Sequence, residues 1–169
     1  LMTLIADESR KSGVGVDQSN FRIDLGKDVR FDSGSYTITP AARQFLRSYV
    51  PVLIKAKDTS EGKRWLRSVV IEGFTDEDGT YLYNLQLSLD RSRSVVCALF
   101  EGANGSDGLN RDQLQKVQEL FLVGGYSFNS IKKDKAESRR VEFKVDFWGL
   151  EETPVPPSDV LKGKEFGKC

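Results

Sequence analysis

The sequence predicts an α/β fold, an α+β sandwich in which one mixed sheet carries helices on a single face. Runs of period-two alternation, as in Val141-Glu142-Phe143-Lys144-Val145, mark strands, and apolar residues at helical spacing, as in Leu46, Tyr49, Val50 and Leu53, mark helices. The two patterns follow one another in the order β/α/β/α/β. Hydrophobic residues make up 38% of the 169 and charged residues 30%, which suits one domain with a modest core plus flanking segments.

Residues 1–20 are expected to be an N-terminal stalk or linker, a helix end that breaks up at Gly13 and Gly15. Phe21-Arg22-Ile23-Asp24-Leu25 alternates like a half-buried strand. A loop with Phe31-Asp32-Ser33-Gly34-Ser35 follows. Thr39-Pro40 reads as an N-cap with proline at the first helical position, and opens a helix over about 40–56. Pro51 is an irregularity expected to kink or shorten it. Asp58 to Lys63 reads as a polar turn, and Ser68-Val69-Val70-Ile71-Glu72 as a central strand. Thr75 to Thr80 breaks that strand. Ser88, Ser92, Val95, Val96 and Leu99 mark one face of a helix over about 83–100.

Gly102 to Gly108 is a loop. Asn110 and Gln113 have capping-box spacing at the start of a helix that turns Leu114, Val117, Leu120 and Phe121 inward. Leu122-Val123 and Gly124-Gly125 read as a strand edge with a turn, and Lys132 to Arg139 as a charged loop. Val141, Phe143 and Val145 form the clearest strand. Pro154, Pro156 and Pro157 end the domain near residue 150. The expected organisation is therefore a stalk over 1–20, a folded domain over 21–150 and a C-terminal tail over 151–169.

Composition excludes several functions. Lys plus Arg is 25 and Asp plus Glu is 25, so the net charge is zero and nucleic acid is not the expected partner. A small zwitterion remains a suitable ligand, because it needs only one charge of each sign. The chain has no histidine, the commonest general base and metal ligand. Cys97 and Cys169 lack metal-ligand spacing; they are either a disulfide that ties down the C-terminus or two free thiols. Asp76-x-Asp78-Gly79 hints at a calcium loop, but its glycine comes too early and no Glu stands at the twelfth position. No metal site, no cofactor and no catalytic residue are expected. Asn104-Gly105-Ser106 matches a glycosylation sequon of little meaning here. Leu1 to Ala6 is apolar but too short to cross a bilayer, and it lacks the layout of a signal peptide. A chain that begins with Leu is expected to be a fragment.

The functional constellation runs from Ile71-Glu72-Gly73-Phe74-Thr75-Asp76 through Glu77-Asp78-Gly79 to Asn84-Leu85-Gln86-Leu87-Ser88-Leu89-Asp90-Arg91. Asp76 stands just past a strand end, and Arg91 lies on the helix that packs back beside it. A carboxylate accepts hydrogen bonds from a ligand ammonium, and a guanidinium holds a ligand carboxylate through paired bonds. Charged bonds of about 1.5–3 kcal/mol each, added to backbone donors, give a micromolar-class site of about −8 kcal/mol. An Asp–Arg pair can equally be a salt bridge that holds the loop to the helix, and both readings can hold in turn.

This block resembles the signature of the OmpA C-terminal family, which includes MotB-type stator proteins and Pal lipoproteins. That signature is a strand, Gly-x-Thr-Asp, a glycine turn, then Asn-x-x-Leu-Ser-x-x-Arg on a helix. Phe31-Asp32-Ser33-Gly34 with Thr39-Pro40, and Ser138-Arg139-Arg140-Val141-Glu142-Phe143, extend the match over about residues 21–147. The resemblance implies non-covalent binding of peptidoglycan through the diaminopimelate of its stem peptide, by Asp76 and Arg91. Thr75 is expected to offer its N–H or hydroxyl, Asn84 to cap the helix or fix the Asp76 loop, and Arg139 or Arg140 to lie near the pocket. The resemblance further implies a homodimer, a membrane-embedded partner subunit, and a periplasmic location with a tether to the inner membrane. Among the sub-types a MotB-like stator is favoured, a group that serves flagellar motors and related ion-driven complexes, some of them in phage defence.

Several residues depart from the family. Phe74 stands where His is common and is expected to add apolar surface at the pocket rim. Ser138 replaces the Asn before the double arginine, and Ser92 stands where Ala is usual. Residues 101–138 match poorly. Two other functions compete: a structural or dimerisation module of the same fold that has lost wall binding, and a wall-cleaving enzyme built on a carboxylate pair, for which no spacing in the sequence speaks.

Overall fold

A computed structural model describes residues 1–103 and 105–169; the Asn104 of the sequon lies outside the described residues. The elements are α1 (Met2–Lys11), β1 (Gly15–Asp17), β2 (Arg22–Asp24), α2 (Pro40–Asp58), α3 (Ser60–Trp65), β3 (Leu66–Gly73), α4 (Tyr81–Phe100), α5 (Arg111–Leu120), β4 (Phe121–Gly125), α6 (Lys135–Ser138) and β5 (Val141–Phe147). The five strands form one mixed sheet in the order β1-β2-β5-β3-β4. β4 runs parallel to β3, as its approach through α5 requires, and the other neighbours are antiparallel.

Strand alternation sorts the sheet into two faces. Ile23, Val69, Ile71, Val141, Phe143 and Val145 point to the helices and share a core with Leu46, Leu53, Val95, Leu99 and Val117. Arg22, Glu72, Glu142 and Lys144 fall on the opposite face. The predicted layering is what forms.

Local signals explain most element ends. Thr39 Oγ1 accepts the Ala42 N–H at 3.1 Å and Pro40 opens α2. Asn110 and Gln113 complete both bonds of the capping box on α5. Pro51 does not shorten α2, which runs on to Asp58. Buried Tyr49, Val50, Leu53 and Ile54 flank it, and their packing offsets the roughly 3 kcal/mol that an interior proline costs. The expected polar turn at 58–63 is instead a helix junction. Thr59 closes α2 and caps α3, accepting the Gly62 N–H at 2.9 Å.

The N-terminal flank is folded against the domain, and the exposed tail is tied to it near its end. Residues 1–20, expected to be a stalk, contain α1 and β1. Ile5 is fully buried, and Ser9 shares a 2.7 Å hydrogen bond with the buried Tyr49 hydroxyl of α2. In the tail, Cys169 forms a disulfide with Cys97 of α4, and Phe166 packs edge-on against Phe100. Ile5 and Phe166 add apolar contacts in the two places, and the disulfide is the first of the two alternatives open for Cys97 and Cys169 in the sequence. Among the described residues, no helix is long and apolar enough to cross a membrane.

Candidate functional site

The site forms where β3 ends. Gly73 lets α4 pack directly on the strand: a Cβ there would sit 1.9 Å from the Ser88 carbonyl oxygen. Ser92 adds a stitch between layers, donating to the Gly124 carbonyl at 2.7 Å. Asp76 Oδ1 accepts the Asp78 N–H at 3.0 Å, a side-chain turn that shapes the loop. Gly79 completes it with φ +96°, a backbone state that glycine adopts freely. Asn84 donates to the Asp78 carbonyl at 2.8 Å and the Thr80 carbonyl at 3.1 Å, so it fixes the loop.

The result is a pocket of about 220 Å³ whose wall includes Ser33, Gly34, Asp76, Asp78, Asn84 and Arg91. Asp76 and Arg91 are therefore neighbours across one small pocket. They are not each other's hydrogen-bond partner. Arg91 is fully buried and donates to three carbonyls: Ser35 at 2.8 Å through Nε, Phe74 at 3.0 Å through Nη1 and Asp32 at 3.1 Å through Nη2. Its guanidinium also lies 5.1 Å from the Phe31 ring centroid. A guanidinium has five N–H bonds, so one remains on each Nη. Burial pulls the Arg91 pKa down to about 10, against the opposing pull of the Asp76 charge. It stays cationic at neutral pH.

Arg139 is the ionic partner of Asp76. Its Nη1 donates to Asp76 Oδ2 at 3.0 Å and its Nε to the Phe31 carbonyl at 2.9 Å, with 18% of its side chain exposed. Arg140 goes elsewhere. Successive residues entering a strand point to opposite sides, so Arg140 crosses to the sheet face opposite the helices. There it donates to Glu142 at 3.1 Å and stacks 4.2 Å over the Phe74 ring. Phe74 accordingly sits buried between Arg140 and Tyr126, and not at the pocket rim. Thr75 has no free donor for a ligand: its N–H binds the Ser127 carbonyl at 2.8 Å and its hydroxyl the Asp76 carbonyl at 2.9 Å. Ser138 is buried and knits the preceding loop, donating to the Asp134 carbonyl.

Two features escaped the sequence reading. One is a part-buried ionic cluster on the face opposite the helices. Arg22 donates to Glu72 at 2.6 Å and Glu142 at 2.9 Å, and the Tyr126 hydroxyl donates to Glu72 at 2.8 Å. Alternation in the last strand sets Glu142 opposite its apolar neighbours, but nothing in the sequence gave its register against Arg22 and Glu72. The other is Lys135 of α6, whose ammonium reaches both Asp78 oxygens at 2.7 and 3.0 Å. Asp78 holds that ammonium above its ordinary pKa.

The sequence pattern of the OmpA family matches residues 30–119. The chain is 41% identical over 138 residues to the Zorya protein ZorB of Escherichia coli O139:H28 (strain E24377A / ETEC), covering 81% of this chain and 56% of that protein. It is 31% identical over 140 residues to the "Probable lipoprotein YiaD" of Escherichia coli (strain K12), covering 82% and 58%. The chain thus spans little more than half the length of these relatives. Among solved structures, the periplasmic domain of Helicobacter pylori MotB superposes with a TM-score of 0.57 at 16% identity, over 85% of each chain. An outer membrane protein from Borrelia burgdorferi B31 gives 0.50 at 24% identity, over 80% of this chain and 98% of that one. At such identities the likeness is one of fold.

Proposed function

The chain belongs to the OmpA family, and on that premise we propose that its folded domain binds peptidoglycan non-covalently through the diaminopimelate of the stem peptide. The domain family is one of binding and anchoring domains. The observation that carries the reading is the 220 Å³ pocket with Asp76 and Asp78 on its wall beside Arg91. The diaminopimelate terminus carries an ammonium and a carboxylate on one carbon. In this reading its ammonium goes to the acidic side of the pocket. Its carboxylate lies over the buried charge of Arg91, within reach of the part-exposed Arg139. Thr75 and Asn84 hold the loop in place, and Arg140 supports the sheet face behind it.

On the same reading, the domain anchors a membrane complex to the wall as a MotB-like stator unit. It works in the periplasm as a homodimer, tethered to the inner membrane and joined to a membrane-embedded partner subunit. The 41% identity to ZorB supports this sub-type.

Co-sedimentation with purified sacculi tests the binding. The wild-type chain is expected in the pellet, and folded Asp76→Ala in the supernatant. One observation favours a second reading, a structural module that keeps the fold without wall binding. Both oxygens of Asp76 are already engaged from within the chain. A folded wild type that stays in the supernatant establishes that reading.

A further inference from the structure

Both carboxylates on the pocket wall are paired from within the chain. The two pairs differ greatly in burial. Asp76 and Arg139 have side chains 7% and 18% exposed, whereas Asp78 and Lys135 have side chains 57% and 49% exposed. A buried ion pair resists opening, because each charge left behind has lost its water. An exposed pair is weak and is screened by salt, so it exchanges readily. An arriving cation therefore meets Asp78 as the carboxylate it can win.

The group that already occupies Asp78 is chemically close to the proposed ligand. A lysine side chain ends in a primary ammonium on an unbranched methylene chain. Diaminopimelate ends in the same ammonium with a carboxylate on the carbon that bears it. The position of Lys135 is built. Asp134 caps α6, with its Oδ1 accepting the Glu137 N–H at 2.7 Å, and the Ser138 hydroxyl donates back to the Asp134 carbonyl at 3.0 Å. This short, closed turn brings Lys135 to a carboxylate 57 positions away in sequence.

We infer that Lys135 is an internal competitor for the ligand ammonium, and that the stem peptide binds by displacing it from Asp78. The inference rests on the wall-binding reading above and deepens it. The exchange sets a threshold common to every ammonium, and the ligand's second charge decides which ligand passes it. A simple amine that replaces Lys135 trades one ammonium for another and gains nothing. A ligand with an adjacent carboxylate gains the positive side of the pocket, which Lys135 leaves unused. Asp78 and Lys135 thus form a threshold that the doubly charged terminus passes and a lone ammonium does not.

The test is the affinity of the purified chain for a soluble muropeptide that ends in diaminopimelate, measured by calorimetry on folded variants. Lys135→Ala is expected to bind about threefold to fivefold tighter than wild type, the scale of one exposed ion pair. Lys133→Ala removes the same charge two positions before Lys135 and is expected to bind like wild type, which separates the contact from the general field. In an Asp78→Asn background the gain from Lys135→Ala is expected to vanish. Binding by Lys135→Ala where wild type binds too weakly to measure also supports the inference. If wild type binds and Asp76→Ala does not, but Lys135→Ala is unchanged or weaker, the competitor is overturned and wall binding stands. If neither wild type nor Lys135→Ala binds, both fall together.

Discussion

The Arg139 guanidinium donates to Asp76 Oδ2 at 3.0 Å, so the carboxylate expected to face Arg91 is paired with a different arginine. Arg139 also holds the Phe31 carbonyl, and it thereby ties the last strand to the loop before α2. Arg139→Ala leaves Asp76 without a counter-ion while its bond from the Asp78 N–H survives. The expected loss is roughly 1–3 kcal/mol, the cost of a buried acceptor deprived of its partner. Urea unfolding with an unchanged slope checks it, and a loss below a few tenths of a kcal/mol contradicts it.

Arg91 joins three segments through the carbonyls of Asp32, Ser35 and Phe74. Arg91→Ala strands all three and empties a fully buried site, so the expected destabilisation is about 3–5 kcal/mol. Hydrogen exchange localises the effect: amides over 31–36 are expected to lose protection ahead of β3. Arg91→Lys keeps the charge but cannot bond three carbonyls at fixed angles, and it is expected to recover only part of the loss.

How far the sequence carried is clearest at these residues. Alternation and helical spacing sufficed for the sheet faces and for α2, α4 and α5, because those signals are repeated many times along each element. Asp76 and Arg91 were legible as pocket neighbours, since one strand end, one glycine turn and one helix fix their relation. What the guanidinium would bond was not legible. The carbonyls of Asp32 and Ser35 come from a loop whose path depends on tertiary contacts. Arg139 and Arg140 adjoin in sequence, and only the strand register decides which one enters the site. The docking of α1 through Ser9 and Tyr49 was likewise hidden, because a single hydroxyl pair leaves no periodic trace.

Cys97 and Cys169 close a loop of 72 positions. The chain-entropy relation for such a loop gives about 4.4 kcal/mol of stabilisation, whereas disulfides typically contribute about 2–4 kcal/mol. Cys97→Ser with Cys169→Ser is expected to lower stability by the typical amount and to free the tail for proteolysis near Phe166. Sacculus binding is expected to persist, since neither cysteine lines the Asp76 pocket. Loss of binding in a folded double variant contradicts this separation.

Burial pushes the Tyr49 hydroxyl from its ordinary 10 up to about 12, although the bond with Ser9 pulls it the other way. The folded chain therefore holds this proton more tightly than the unfolded chain. Stability from this source is full below pH 10 and is lost as pH rises from 10 toward about 12, by up to roughly 2–3 kcal/mol. Unfolding curves across that range check the slope, and Tyr49→Phe is expected to flatten it.

The most direct measurement compares two soluble stem peptides that differ at one residue, diaminopimelate in one and lysine in the other. Calorimetry is expected to show binding of the first and at least about tenfold weaker binding of the second, because only the first brings a carboxylate to the arginine side of the pocket. Equal affinities contradict a site that recognises both charges, and an absence of heat with either peptide contradicts wall binding itself.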